Sequence, residues 1–103
     1  VLIVAYGISA RAARAAVRRA RGQGIAAGLF RPITIWPFPE EALKAAASKA
    51  KAILVPEMNA GQLVLEIERI VGHDLPVAGL NRIDGQAINP DEILQRIKEL
   101  AAK

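Results

Sequence analysis

Side chains able to do chemistry are few in this sequence, and most fall at two places. Tyr6, Gly7, Ser9 and Arg11 follow the apolar run Val1-Leu2-Ile3-Val4-Ala5, and Pro56, Glu57, Asn59, Gly61 and Gln62 follow Ile53-Leu54-Val55. Each set leaves a β-branched run and enters a helix-forming stretch, so each is a strand-to-helix turn whose free backbone amides can seat an anion. Glu57 is the one acid in either turn. A carboxylate at the end of a central strand is a candidate for acid or base work. Without a second carboxylate beside it, the favoured reading is that Glu57 caps the following helix or pairs with Arg11. There is no cysteine, which excludes thiolate metal sites, a cysteine nucleophile and iron-sulfur ligation by thiolates. The one histidine, His73, stands with Asp74 after Gly72 and has no serine or second ligand near it. That pair reads as a helix-end turn rather than a catalytic couple. No residue is assigned a catalytic, cofactor-binding or metal-ligating role.

Three familiar sites fail on their residues. A dinucleotide fingerprint needs Gly-x-Gly-x-x-Gly, and only Gly7 follows the first run, although Arg31 lies where a 2′-phosphate partner would. A receiver-type phosphoacceptor needs carboxylates where Tyr6 and Gly7 stand. The phosphate loop Gly-x-x-x-x-Gly-Lys is absent.

The two turns need a scaffold, and strand and helix signals alternate four times. Strands are expected at 1–6, 25–30, 53–55 and 76–81, with helices at 10–21, 39–50, 61–71 and from 90 onward. Ser9 stands where the first N-cap should be, Gly22-Gln23-Gly24 ends that helix, and Gly72 breaks the third. Pro39 with Glu40 and Glu41 opens the second helix. Asn89-Pro90-Asp91-Glu92 is a cap, a first-turn proline and two acids, with Glu92 set to close a capping box. The pattern predicts one α/β domain over residues 1–103: a three-layer α/β/α sandwich on a four-stranded, mostly parallel sheet of order 2-1-3-4. Strands one and three are then central, and the two turns flank the switch point at which open α/β sheets bind ligands.

In the first helix Ala13, Ala16, Val17 and Ala20 share a small face suited to close packing on a sheet. Arg11, Arg14, Arg18 and Arg21 share the other, read first as a solvated back and second as a dock for an acidic partner or phosphates. Charge is bipolar: residues 1–51 hold nine Lys or Arg against two acids, net +7, and residues 52–103 hold five against eight, net −3. With only four aromatics and no coherent basic surface, nucleic-acid binding ranks below a structural role. Trp36 and Phe38, in a loop stiffened by Pro32, Pro37 and Pro39, either plug one end of the domain or anchor an interface. No run approaches a membrane span, and the first six residues are too short for a signal-peptide core, so the domain reads as soluble and cytoplasmic. The chain starts directly inside a strand-like run, as a piece of a larger polypeptide would.

Several segments together carry a resemblance. They are Val4-Ala5-Tyr6-Gly7, the stretch from Arg31 through Thr34-Ile35-Trp36-Pro37-Phe38-Pro39, Val55-Pro56-Glu57-Met58-Asn59-Ala60-Gly61-Gln62-Leu63, Gly79-Leu80-Asn81-Arg82 with Gly85, and Ile88-Asn89-Pro90-Asp91-Glu92-Ile93-Leu94. In order and spacing the chain resembles the C-terminal domain of the α subunit of 2-oxoacid:ferredoxin oxidoreductases, of the 2-oxoglutarate type. That domain is similar to the transketolase C-terminal domain, which adds an antiparallel edge strand ahead of this region; its absence fits a truncated chain. The resemblance implies a parent enzyme that decarboxylates a 2-oxoacid oxidatively with thiamine diphosphate and magnesium, passing the acyl group to coenzyme A and electrons to ferredoxin through an iron-sulfur cluster. It places those cofactors in a β subunit and the preceding α domain, with none bound by this domain. It also implies a non-catalytic, subunit-packing role whose rim or contact residues include Ser9, Arg11, Trp36, Phe38, Glu57, Asn59, Gly61 and Gln62. The partners expected are the rest of the α subunit, the β subunit and ferredoxin, with no nucleic acid and no membrane. The rival expectation is a free-standing, flavodoxin-like module that binds phosphate or coenzyme A at Ser9, Arg11 and Gly61.

Overall fold

Apolar, β-branched segments form the strands β1 (Leu2–Val4), β2 (Gly28–Phe30), β3 (Ile53–Glu57) and β4 (Val77–Asn81). They alternate with the helices α1 (Ile8–Gly22), α2 (Glu40–Ala47), α3 (Gln62–Val71) and α4 (Pro90–Ala101). The structure is a computed structural model that describes residues 1–32, 39–57, 62–72, 75–81 and 88–102. All pairings are parallel and the order is β2-β1-β3-β4, as the alternation of elements predicts.

Strand side chains alternate between faces, so the sheet needs cover on both. Ile3, Ala5 and Leu54 pack with α1 and α4, while Leu2, Val4, Ile53 and Val55 pack with α2 and α3. On α1 the face is small: Ala13, Ala16 and Ala20 are fully buried and Val17 nearly so. Alanines there let the helix lie close to the sheet and leave its arginines outward.

Where the elements differ from the sequence pattern, hydrogen bonds give the reason. Ser9 is not the cap of α1. The helix opens two residues earlier than expected, at Ile8, because Gly7 adopts φ 62° and ψ −139° and turns the chain directly into it. That conformation is strained for any residue with a Cβ. β2 begins at Gly28 rather than at 25, since Ile25 N–H donates to Ala20 O (2.9 Å) and Arg21 Nε to Ala27 O (2.7 Å). Residues 25–27 are engaged in closing α1. α2 stops at Ala47, where the Ser48 hydroxyl donates to Ala45 O (2.8 Å), and Pro39 is its cap rather than its first residue. The start of α4 is as expected: Asn89 Oδ1 accepts from Glu92 N–H (2.9 Å), and Asn89 Nδ2 donates to Glu92 Oε1 (3.0 Å).

Pro56 lies within β3, an interior strand, although proline removes a ladder donor. Ile53 N–H donates to Pro76 O, so by alternation the missing donor of Pro56 faces β1. Pairing of β1 to β3 covers only Leu2 with Ile53 and Ile3 with Leu54. The proline therefore falls beyond the last β1–β3 pair, where β3 is bonded only to β4.

Candidate functional site

Right-handed βα units put the carboxyl ends of the strands at one rim, and the central boundary of that rim lies between β1 and β3. Two helix N-termini flank it. Glu57, the last residue of β3, is 1% exposed. Its side chain reaches the start of α3, where Leu63 N–H donates to Oε1 (3.0 Å) and Val64 N–H to Oε2 (3.1 Å). Both carboxylate oxygens thus satisfy amides that the helix itself leaves unpaired, at its positive end. The seat that the sequence suggested for an external anion is filled here by the protein's own carboxylate. Of the two readings of Glu57 the structure contains the cap; no Arg11 partner joins it among the described contacts.

The α1 side is built differently. Gly7 supplies the turn, no side chain caps the helix, and the first turn has no acid. Gly7 O accepts from Ala10 N–H at 3.1 Å. Ser9 is 5% exposed, inside the first turn, and Arg11 points to solvent. Gln62 is the first residue of α3. Trp36, Phe38, Asn59 and Gly61 lie outside the described residues, as do His73 and Asp74. The structure thus brings Glu57 to α3 and leaves Arg11 on the outside of α1.

Among the described residues two ion-pair links join helices elsewhere. Arg69 on α3 bonds Glu66 on the same helix (2.6 Å) and reaches Glu40 at the start of α2 (3.4 Å). The guanidinium of Arg69 holds the Glu66 carboxyl below the ordinary carboxylate range, and Glu66, then Glu40, raises Arg69. Arg19 on α1 meets Asp91 on α4, and this pair ties the two helices of one layer. Sequence reasoning missed both interhelical links, because they join residues far apart in the chain. The only available signal was the position of Glu40 and Asp91 in first turns, where acids are expected anyway.

Two described cavities lie at the far end of the sheet, near the helix C-termini. One of about 360 Å³ is lined by Lys44, Ala47, Ser48, Ile70, Val71 and Leu75, and one of about 440 Å³ lies beside Val1, Lys49, Lys51 and Leu100. Neither reaches the rim, so neither belongs to Glu57 or to the start of α1.

Residues 1–93 match the family described as pyruvate:ferredoxin oxidoreductase core domain II. The chain is 38% identical over 97 residues to the 2-oxoglutarate synthase subunit KorA of Methanothermobacter marburgensis, covering 94% of this chain and 26% of that one. Against the ketoisovalerate oxidoreductase subunit VorB of Methanothermobacter thermautotrophicus it is 40% identical over 101 residues, covering 98% and 28%. It therefore spans about a quarter of the length of these relatives. Among solved structures it is similar to the 2-oxoglutarate:ferredoxin oxidoreductase of Magnetococcus marinus, which has 2-oxoglutarate, coenzyme A and succinyl-CoA bound: TM-score 0.86, 26% identity, 97% of this chain and 17% of that one. A split-gene transketolase in an inactive β4 tetramer shares the fold, with TM-score 0.83 and 21% identity over 98% of this chain and 38% of that one.

Proposed function

The chain belongs to the pyruvate:ferredoxin oxidoreductase core domain II family and is homologous to the C-terminal domain of KorA and VorB subunits; from this we propose that it is the subunit-packing domain of a 2-oxoacid:ferredoxin oxidoreductase α subunit. In this reading residues 1–103 form one domain of a longer α subunit. The assembled enzyme decarboxylates a 2-oxoacid oxidatively, with coenzyme A taking the acyl group and ferredoxin the electrons. Support comes from alignment over nearly the whole chain with subunits of such enzymes. The free-standing phosphate or coenzyme A module is not favoured, since that match extends through residue 93.

The observation that carries the non-catalytic part is the engagement of Glu57. Magnesium calls for oxygen ligands that are free to face it. Glu57, the acid on the described rim, is buried with both oxygens accepting from Leu63 and Val64. Glu57 is thus engaged within the fold, and the reading assigns thiamine diphosphate, magnesium and the iron-sulfur cluster to the preceding α domain and a β subunit. A cytoplasmic setting belongs to the same reading; among the described residues no helix is long and apolar enough to cross a membrane.

The test is coexpression of the full-length α polypeptide with a tagged β subunit. Copurification, with 2-oxoacid- and coenzyme A-dependent dye reduction that needs both chains, is the expected result. Turnover by the isolated 103-residue chain would overturn the non-catalytic assignment.

A further inference from the structure

Three helices carry an acid three residues from a cation: Glu41 before Lys44 on α2, Glu66 before Arg69 on α3, and Glu99 after Arg96 on α4. α1 has five arginines and no acid. Two of the five are engaged within the fold, Arg19 with Asp91 and Arg21 with the Ala27 carbonyl. The other three, Arg11, Arg14 and Arg18, are exposed, and among the described residues none has an ion-pair partner. Their spacing puts them in one row about 10 Å long on the face turned from the sheet.

Such a row works against its own helix. Arg11 and Arg14, and Arg14 and Arg18, are like charges at neighbouring positions, and Arg11 lies close to the positive end of the helix dipole. Among the described residues no carboxylate offsets that repulsion, which leaves the row open to a counterpart from another chain. We propose that the Arg11, Arg14 and Arg18 row of α1 docks on an acidic face of a neighbouring subunit, each guanidinium forking onto a carboxylate. Protein carboxylates fit better than nucleic acid, because α1 has no aromatic to stack a base and the chain's charge is divided, residues 52–103 being net −3, rather than forming one coherent basic surface. The inference rests on the subunit-packing reading and names its surface.

The test is arginine footprinting with phenylglyoxal and mass spectrometry on the full-length polypeptide with its copurifying subunit, before and after that subunit is stripped off in high salt. Arg11, Arg14 and Arg18 are expected to react about tenfold more slowly in the complex, and exposed Arg69 at the same rate in both. In a second arm, the combined Arg11→Glu, Arg14→Glu and Arg18→Glu variant loses the subunit while its thermal melting holds. Three arginines equally reactive in both states, or a subunit retained by the triple variant, would overturn the docking face while leaving the subunit reading intact. Absence of any copurifying subunit removes both. Retention on single-stranded DNA that disappears in the triple variant would assign the row to nucleic acid instead.

Discussion

The N-termini of α1 and α3 flank the same boundary between the two central strands, yet they are finished by opposite means. At α3 a side chain from the preceding strand reaches two free amides, and the helix start is tied to β3 through the buried Glu57 carboxylate. At α1 a backbone conformation does the work, with Gly7 at φ 62° and no side-chain cap. The first device is enthalpic and fixes the position of a helix on its strand. The second is steric and fixes only a direction. A helix N-terminus at a switch point is thus not by itself a vacant anion site, because what precedes it decides whether its amides are already taken.

Substitution of Glu57 tests the side-chain device at α3. Glu57→Ala leaves the Leu63 and Val64 amides without an acceptor beside a new void, and is expected to cost about 3 kcal/mol in urea unfolding. Glu57→Gln keeps the volume and one acceptor but sets an NH2 donor against the second amide, so it should cost about 2 kcal/mol, and the difference from Glu57→Ala reports the packing share. At the other terminus, Gly7→Ala should cost about 2 kcal/mol through backbone strain. A Cβ there meets nothing within 4 Å, so a larger bulky-residue penalty at Gly7 would contradict the steric account. Asn89→Ala at α4, an exposed side-chain cap, gives the reference value of about 1 kcal/mol in the same assay.

The smallest effect concerns Glu66, whose folded-state pKa lies below its ordinary value because of Arg69. A depressed carboxylate contributes stability that is present above its ordinary pKa and lost as the pH falls through the folded one. Melting temperature should therefore fall slightly more steeply in acid for the parent chain than for Glu66→Gln. Equal acid limbs would mean that the Glu66–Arg69 pair within α3 contributes nothing.

Much of the fold was legible because each element announces itself locally. The four β-branched runs, the alanine face of α1 and the Asn89-Pro90-Asp91-Glu92 start are period and capping signals that need no partner. Strand order followed from the alternation and the handedness of crossovers. The start of α1 was misread because Ser9 is a good cap by type, whereas the deciding feature is a positive φ at Gly7, available to the chain two residues earlier. Among the candidate site residues, Glu57 could be placed at the strand end, but either of its two roles was compatible with that position.

The parallel α/β/α architecture, the location of the two central turns and the segments that carry the family resemblance are written in the linear order of residues, because these depend on neighbours within a few residues. Packing in three dimensions turns Glu57 inward to α3, engages Arg19 and Arg21 but not Arg11, Arg14 and Arg18, and sets Pro56 past the last β1–β3 pair. These depend on how far one element reaches past another once packed, and a linear pattern does not carry that distance.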